Sequence, residues 1–405
     1  MSRLATTFKA FSYRDYRLLW FGAFTSSIGT WMQKVAQSWL ILTMTGSAFL
    51  LGLDAFLGDF PFLAFSLVGG VLADRIDRRR ILLLSQVVQM SAATLLASWL
   101  FFGKVPIALI LSLSFVTGLA QAFGGPAYQA LVPTLVPKED MANAVALNSI
   151  QFNLARVVGP VFAGFAFAGL GAVGCFSLNA LSFLAPIAAL IVMRMGAIEA
   201  RPAEKVLTSL RAGLDAVFSS PPLRGLVGLA FVGSFCAYPL VTFLPVFAKD
   251  VFGMGAQGYS TFLAVFGVGA VAGALVVAAL SKIERRGLVV VSMLFVYGIL
   301  STAFSLSRVL VLSYVLLFLC GVALIFCVAS LMTLMQTNVE DSLRGRVVSV
   351  YTLAFRGAMP LGNLMAGVLT TQLQAPFVLA LNGVLLTLVT TTVLARRGKG
   401  GVLSL

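Results

Sequence analysis

Five charged residues fall inside stretches that are otherwise apolar: Lys34, Asp54, Asp59, Arg156 and Arg356. A charge in lipid-spanning chain is costly, so each marks an ion pair, a proton relay or a substrate path. Asp54 and Asp59 are the two acidic residues of this kind, and both lie on one predicted helix. A five-residue spacing turns their side chains about 140° apart and separates them by about 7–8 Å along the axis, so they do not form one dyad. Asp59, nearer mid-membrane, is the first candidate for carrying a proton, and Asp54 the second. The competing reading is static: Asp54 and Asp59 neutralise Lys34 and Arg156. Lys34 could instead bind an anionic group, gate the two carboxylates, or snorkel. Arg356 has no acid in any predicted helix of its own half, so it lies near the second helix across the interface, faces water or holds an anionic substrate. Gln33, Gln37, Asn148, Gln151 and Asn153 add polarity that either bonds neighbouring helices or meets substrate. Phe60, Phe62, Phe123, Phe152, Phe231, Phe235, Tyr238, Phe262, Phe266 and Phe355 are candidates for a greasy, adaptable cavity wall, against the plainer reading of lipid or core contact.

The elements that must hold these residues are membrane helices. The 405 residues are 60% hydrophobic and only 10% charged, where a soluble protein carries about a quarter. Twelve apolar stretches are long enough to span, near 17–44, 47–72, 81–102, 107–131, 142–168, 173–193, 223–248, 259–280, 288–306, 309–337, 347–372 and 377–395. The fourth is read as interrupted at Gly124-Gly125-Pro126. Residues 194–222 form the longest polar stretch. Within it Leu207, Leu210, Leu214 and Val217 recur at helical spacing, which predicts an amphipathic helix on the cytoplasmic surface. The expected domains are an N-terminal six-helix bundle (1–194), a cytoplasmic linker (195–222) and a C-terminal six-helix bundle (223–405).

Of the 28 lysines and arginines, 22 fall in segments on one side, three on the other and three inside helices. That asymmetry places both termini in the cytoplasm. The net charge of +14 sits in short gaps between apolar runs without a basic-aromatic patch, which argues against nucleic acid. No histidine occurs, and the four cysteines, Cys175, Cys236, Cys320 and Cys327, follow neither a metal nor a disulfide spacing. They read as packing residues. No metal site or cofactor is expected, nor an enzyme, because no nucleophile constellation is present.

The densest charge lies at 69–80, Gly-Gly-Val-Leu-Ala-Asp-Arg-Ile-Asp-Arg-Arg-Arg, read as a tight hinge between two helices. A weaker twin at 281–287 lacks an equivalent of Asp74. Arg156-x-x-x-Pro160 recurs as Arg356-x-x-x-Pro360 at an offset of 200. A six-plus-six repeat of this kind is a transporter architecture.

These residues carry a resemblance. Gly70-x-Leu72-Ala73-Asp74-Arg75-x-Asp77-Arg78-Arg79 resembles the loop between helices 2 and 3 of the major facilitator superfamily, with Asp77 where that family usually has glycine. Arg156-Val157-Val158-Gly159-Pro160-Val161-Phe162-Ala163-Gly164 is similar to the fifth-helix motif of its antiporters, closing Ala-Gly rather than Gly-Gly. Tyr16-Arg17-Leu18-Leu19-Trp20 and Trp31-Met32-Gln33-Lys34-Val35-Ala36 are similar to the enterobactin-exporter and drug-exporter branch. The resemblance implies an all-α membrane protein of twelve helices in two pseudo-symmetric six-helix bundles. It also implies a second helix that lines the cavity, and proton-driven antiport by rocking of the bundles.

The resulting expectation is a proton-coupled exporter of amphipathic small molecules, drugs or a siderophore, in the bacterial inner membrane, with a monomer as the expected state. Import of a small organic anion, using Lys34, Arg156 and Arg356, is the alternative. The proposed coupling residues are Asp59 and Asp54. The substrate and charge network comprises Lys34, Arg156, Arg356, Gln37, Gln151, Phe235 and Tyr238. Gating is assigned to Gly70, Asp74, Arg75, Arg78, Arg79, Gly159 and Pro160. Asp74 would accept bonds from Arg75 or Arg78, or approach Arg344 and Arg346 as a clasp closing the inside. Arg78 to Arg80 could also anchor acidic lipid.

Overall fold

Apolar runs of this length must satisfy every backbone group internally, and the helix does so within one segment. A computed structural model describes residues 8–103, 105–193, 206–279, 285–340, 343–395 and 401–404, and holds no strand among them. The helices are α1 (Arg14–Thr45), α2 (Ala48–Arg75), α3 (Arg78–Phe102), α4 (Ile107–Leu131), α5 (Met141–Ser182), α6 (Leu184–Val192), α7 (Val206–Ser219), α8 (Pro221–Thr242), α9 (Ala256–Ala279), α10 (Arg286–Leu306), α11 (Leu310–Thr337), α12 (Arg344–Leu369) and α13 (Ala375–Ala395). Helix α5 is broken at Gly171 (φ 64°, ψ −167°), a left-handed backbone that suits glycine, so it has two legs. Nine stretches among the described residues are long and apolar enough to cross a membrane. The long helices α1 and α12 lie outside that group. They carry Gln33, Lys34 and Gln37, and Arg344, Arg346 and Arg356.

Two compact units emerge: Met1–Leu40 with Leu57–Ala203, and Ile41–Phe56 with Glu204–Leu405. In the first, α3 packs along α4 and α5. Tyr16, Leu19, Trp20, Leu82, Leu131, Leu147 and Leu190 share its core. In the second, α9 pairs with α11, α10 with α13, and α8 with α12. Its core includes Leu226, Val290, Leu294, Leu331, Met335 and Val347, and takes in Val402 from a final short turn. Helices in lipid associate by close packing rather than by water exclusion, so small residues sit at the contacts. A Cβ on Gly118 would collide with the Gly58 carbonyl, and one on Gly321 with the Phe266 carbonyl.

Two features differ from the sequence expectation, and a third refines it. The turn in the charged hinge is only Ile76-Asp77, because α2 runs on to Arg75 and the Asp77 side chain caps α3 by accepting from the Arg79 N–H at 2.9 Å. The departure at Asp77 is thus an N-cap. Helix α4 is continuous through Gly124-Gly125-Pro126. Pro126 denies a donor to the Ala122 carbonyl, and that carbonyl faces Gly69 of α2, where a Cβ would collide with it. Helix α7 forms where the linker's apolar spacing predicts a helix, and its apolar face packs on protein: Leu210 and Val217 enter the second unit's core, and Gly213 lies against the Arg346 carbonyl of α12. Leu214 and Phe218 face outward.

Candidate functional site: the membrane-embedded charges

Helix α1 is fixed in rotation by amides. Asn179 of α5 donates to Gln33 Oε1 (2.5 Å), Gln33 donates to Gln37 Oε1 (3.4 Å), and Gln37 donates to Ser114 of α4 (2.8 Å). Gln151 of α5 donates to Ser27 (3.0 Å). These bonds tie α1 to α4 and α5, so the structure places Gln37 and Gln151 at helix seams. Asn179, buried at 3% exposure, completes the chain and was not singled out from the sequence. Its signal was a lone amide in an apolar helix.

On this fixed helix Trp31 and Lys34 stand three residues apart and so share a face. Gly159 of α5 abuts the Trp31 side chain and lies 3.0 Å by its Cβ direction from the Ile28 carbonyl, so the α5 backbone comes close enough for Arg156, one helical turn earlier, to reach the indole. The Lys34 ammonium lies 5.1 Å from the Trp31 ring centroid and the Arg156 guanidinium 5.5 Å. Both distances are within cation–π range. The structure thus brings Lys34, Arg156 and Gly159 together around Trp31, a residue whose role the sequence left unstated.

Asp59 is half-buried on α2, two residues before Pro61. Among the described residues, the side chains of Asp59, Lys34 and Arg156 form no ion pair. The static neutralisation of Lys34 and Arg156 by Asp59 is therefore not the arrangement found. Asp54 and Asp59 fall to different compact units. In the second unit, Arg356 is exposed on α12. Beside it, Phe355 packs edge-on to Tyr238 (5.8 Å between centroids) and stacks on Tyr351 (6.1 Å). Phe235 stacks on Phe231 (6.2 Å), and its carbonyl, left without a donor by Pro239, faces Gly362.

At the hinge, Arg78 donates to the Ala130 carbonyl at the end of α4 (3.0 Å) and Arg79 to the Ile191 carbonyl at the end of α6 (2.9 Å). Arg344 does the same for Gln336 at the end of α11 (3.1 Å). Each arginine meets orphan carbonyls at the negative end of a helix dipole. Arg75 is exposed, and Gly70 has open space where a Cβ would stand. The Asp74 side chain, and with it the proposed clasp, lies outside the described residues. Tyr16 and Trp20 of the N-terminal motif bond the Ala144 and Leu147 carbonyls of α5 (both 2.9 Å). Lys9 and Tyr13 converge on Asp140, at 2.9 and 2.7 Å, in the turn before α5.

Charges inside the long apolar helices of an all-helical fold mark an ion or substrate path across a membrane, the site of a transporter. The chain belongs to the major facilitator superfamily: it matches the transmembrane secretion effector family over residues 5–398. It is 30% identical to the multidrug efflux pump Tap of Mycolicibacterium fortuitum, covering 86% of this chain and 88% of that one. It is 27% identical to the enterobactin exporter EntS of Shigella boydii, over 92% and 91%. The fold matches the crystal structure of a bacterial homolog of the human lysosomal transporter Spinster with a TM-score of 0.75 and 15% identity, covering 95% and 97%.

Proposed function

We propose that the protein is a secondary active exporter of amphipathic small molecules, drugs or a siderophore, and that it works as a proton-coupled antiporter by alternating access. In this reading it is a monomer of twelve spanning helices in the bacterial inner membrane, with both termini cytoplasmic. The names of its relatives, an efflux pump and an exporter, favour export over import. The twelve-helix count takes the two legs of α5, with α6 extending the second, as separate crossings and adds α1 and α12.

The observation that carries the coupling is Asp59: a carboxylate on a spanning helix, without an ion pair among the described residues. A carboxylate inside a spanning helix that no cation bridges marks a proton or substrate path. Pro61 leaves the Leu57 carbonyl without its helical donor, which keeps the backbone near Asp59 polar. The test is drug-driven proton movement in inside-out vesicles. Asp59→Asn should abolish it while the protein still reaches the membrane and binds substrate, and Asp59→Glu should retain part of it. Normal proton-coupled export by Asp59→Asn would remove Asp59 from the mechanism.

A further inference from the structure

Trp31 is shared by two cations that reach it from different helices, Lys34 from α1 and Arg156 from α5. An indole face offers attraction to a cation but no lone pair directed at its N–H groups. Among the described residues, neither side chain donates a hydrogen bond or forms an ion pair, and Lys34 is exposed. The neighbouring amides do not fill the gap. Gln33, Gln37 and Asn179 bond one another and Ser114, and Gln151 bonds Ser27.

Both charges lie within 5.5 Å of one ring centroid and repel each other, and an anion that accepts from either cation weakens that repulsion. The guanidinium fork suits a two-oxygen head. Lys34 lies well inside α1 rather than at an end, and an exposed ammonium at such depth is tolerated where it faces a water-accessible cavity rather than hydrocarbon.

We propose that Lys34, Arg156 and Trp31 form an anion subsite that receives the carboxylate, or a like oxyanion head, of an amphipathic substrate. The inference rests on the transporter reading above, but on neither the direction of transport nor Asp59.

The test is calorimetric binding to the purified full-length protein in phosphatidylcholine nanodiscs, with empty discs as the blank. The probes are 2-naphthoate and its neutral counterpart 2-naphthamide. The acid should bind about tenfold more tightly than the amide, the size of one charge-assisted hydrogen bond. Lys34→Gln and Arg156→Gln should each erase most of that preference, and Lys34→Arg should keep it. Because Arg156→Gln could fail to fold, the Lys34 pair decides the matter alone. Equal binding of acid and amide by the wild type, or a preference that survives Lys34→Gln, overturns the proposal. Replacing part of the lipid by phosphatidylglycerol separates the two sources of an anionic head. An unchanged preference supports a substrate subsite, and a preference abolished by that lipid overturns it in favour of a headgroup site. Binding is read without a proton gradient, so failure here leaves proton-coupled export standing, and failure of the Asp59→Asn test leaves the subsite standing.

Discussion

Arg78 and Arg79 direct their charge at helix ends. Both donate to carbonyls that close helices, Arg78 to that of Ala130 on α4 and Arg79 to that of Ile191 on α6. Removing Arg79 leaves the Ile191 carbonyl and its dipole end without that donor. Arg79→Ala should therefore cost about 1 kcal/mol, read as a lower midpoint in thermal unfolding, and Arg79→Lys should recover part of it. The Asp140 cluster makes a prediction in pH. Hydrogen bonds from Lys9 and then Tyr13 hold the Asp140 carboxyl below its ordinary range, and Asp140 in turn raises the Lys9 ammonium. The carboxylate's contribution is present above its unfolded pKa and is lost as pH falls through the lowered folded value. That of Lys9 is present below its unfolded pKa and is lost only as pH rises through the raised one. The strap formed by Lys9–Ser12 thus holds across neutral pH and opens in acid. Protection of the Ala10 amide from hydrogen exchange, measured against the intrinsic rate at each pH, should fall in wild type below the ordinary carboxylate range, since that amide donates to Asn143 at 2.9 Å. In Asp140→Asn the protection should be low and unchanged over that same range.

At the scale of helices, contact is decided by which glycine faces which carbonyl. Gly69 lies against the Ala122 carbonyl that Pro126 leaves without a donor, whereas its neighbour Gly70 faces open space. The two positions should therefore respond oppositely to one methyl group. Gly69→Ala forces α2 and α4 apart and should cost about 1–3 kcal/mol. Gly70→Ala gains helix propensity, up to about 1 kcal/mol, and should be neutral or stabilising in thermal unfolding. If Gly70→Ala abolishes transport without loss of stability, its use lies in a conformation other than this one. The same contrast shows how far a sequence carries. Apolar runs set the helices, and the cost of charge in lipid picked out Lys34, Asp59 and Arg156, because both depend on local composition. The partner of a residue depends on which helix lies beside it. So Trp31 as a shared ring, Asn179 as the amide that anchors Gln33, and Gly69 as a contact in place of Gly70 emerged only with α1, α2, α4 and α5 assembled. Pro126 misled for the same reason: its lost hydrogen bond is visible in sequence, while the glycine that accommodates the freed carbonyl lies on another helix.

At the scale of the molecule, chain order and packing disagree at one place. Residues 41–56, the end of α1 and the start of α2, precede most of the first unit in sequence yet belong to the second unit by contact. Contacts with the second unit hold them there. Lys249 donates to the Leu42 carbonyl near the end of α1 (3.3 Å), Gly52 abuts the Asn363 carbonyl of α12, and a Cβ on Gly367 would stand 3.1 Å from the Phe49 carbonyl. The second unit is therefore completed by a segment that the first half of the chain supplies. A protease site inserted after Ala203 tests this on the whole purified protein. After cleavage, the two fragments should elute as one species in size exclusion, because 41–56 remains seated against α12. Gly367→Leu, which drives a side chain into Phe49 and Gly52, should cost about 1–3 kcal/mol and make the cleaved fragments separate. Lys249→Ala removes one charge-assisted bond and should weaken the association less. Fragments that part in the wild type, or that stay together with Gly367→Leu, would show that these contacts do not hold the segment.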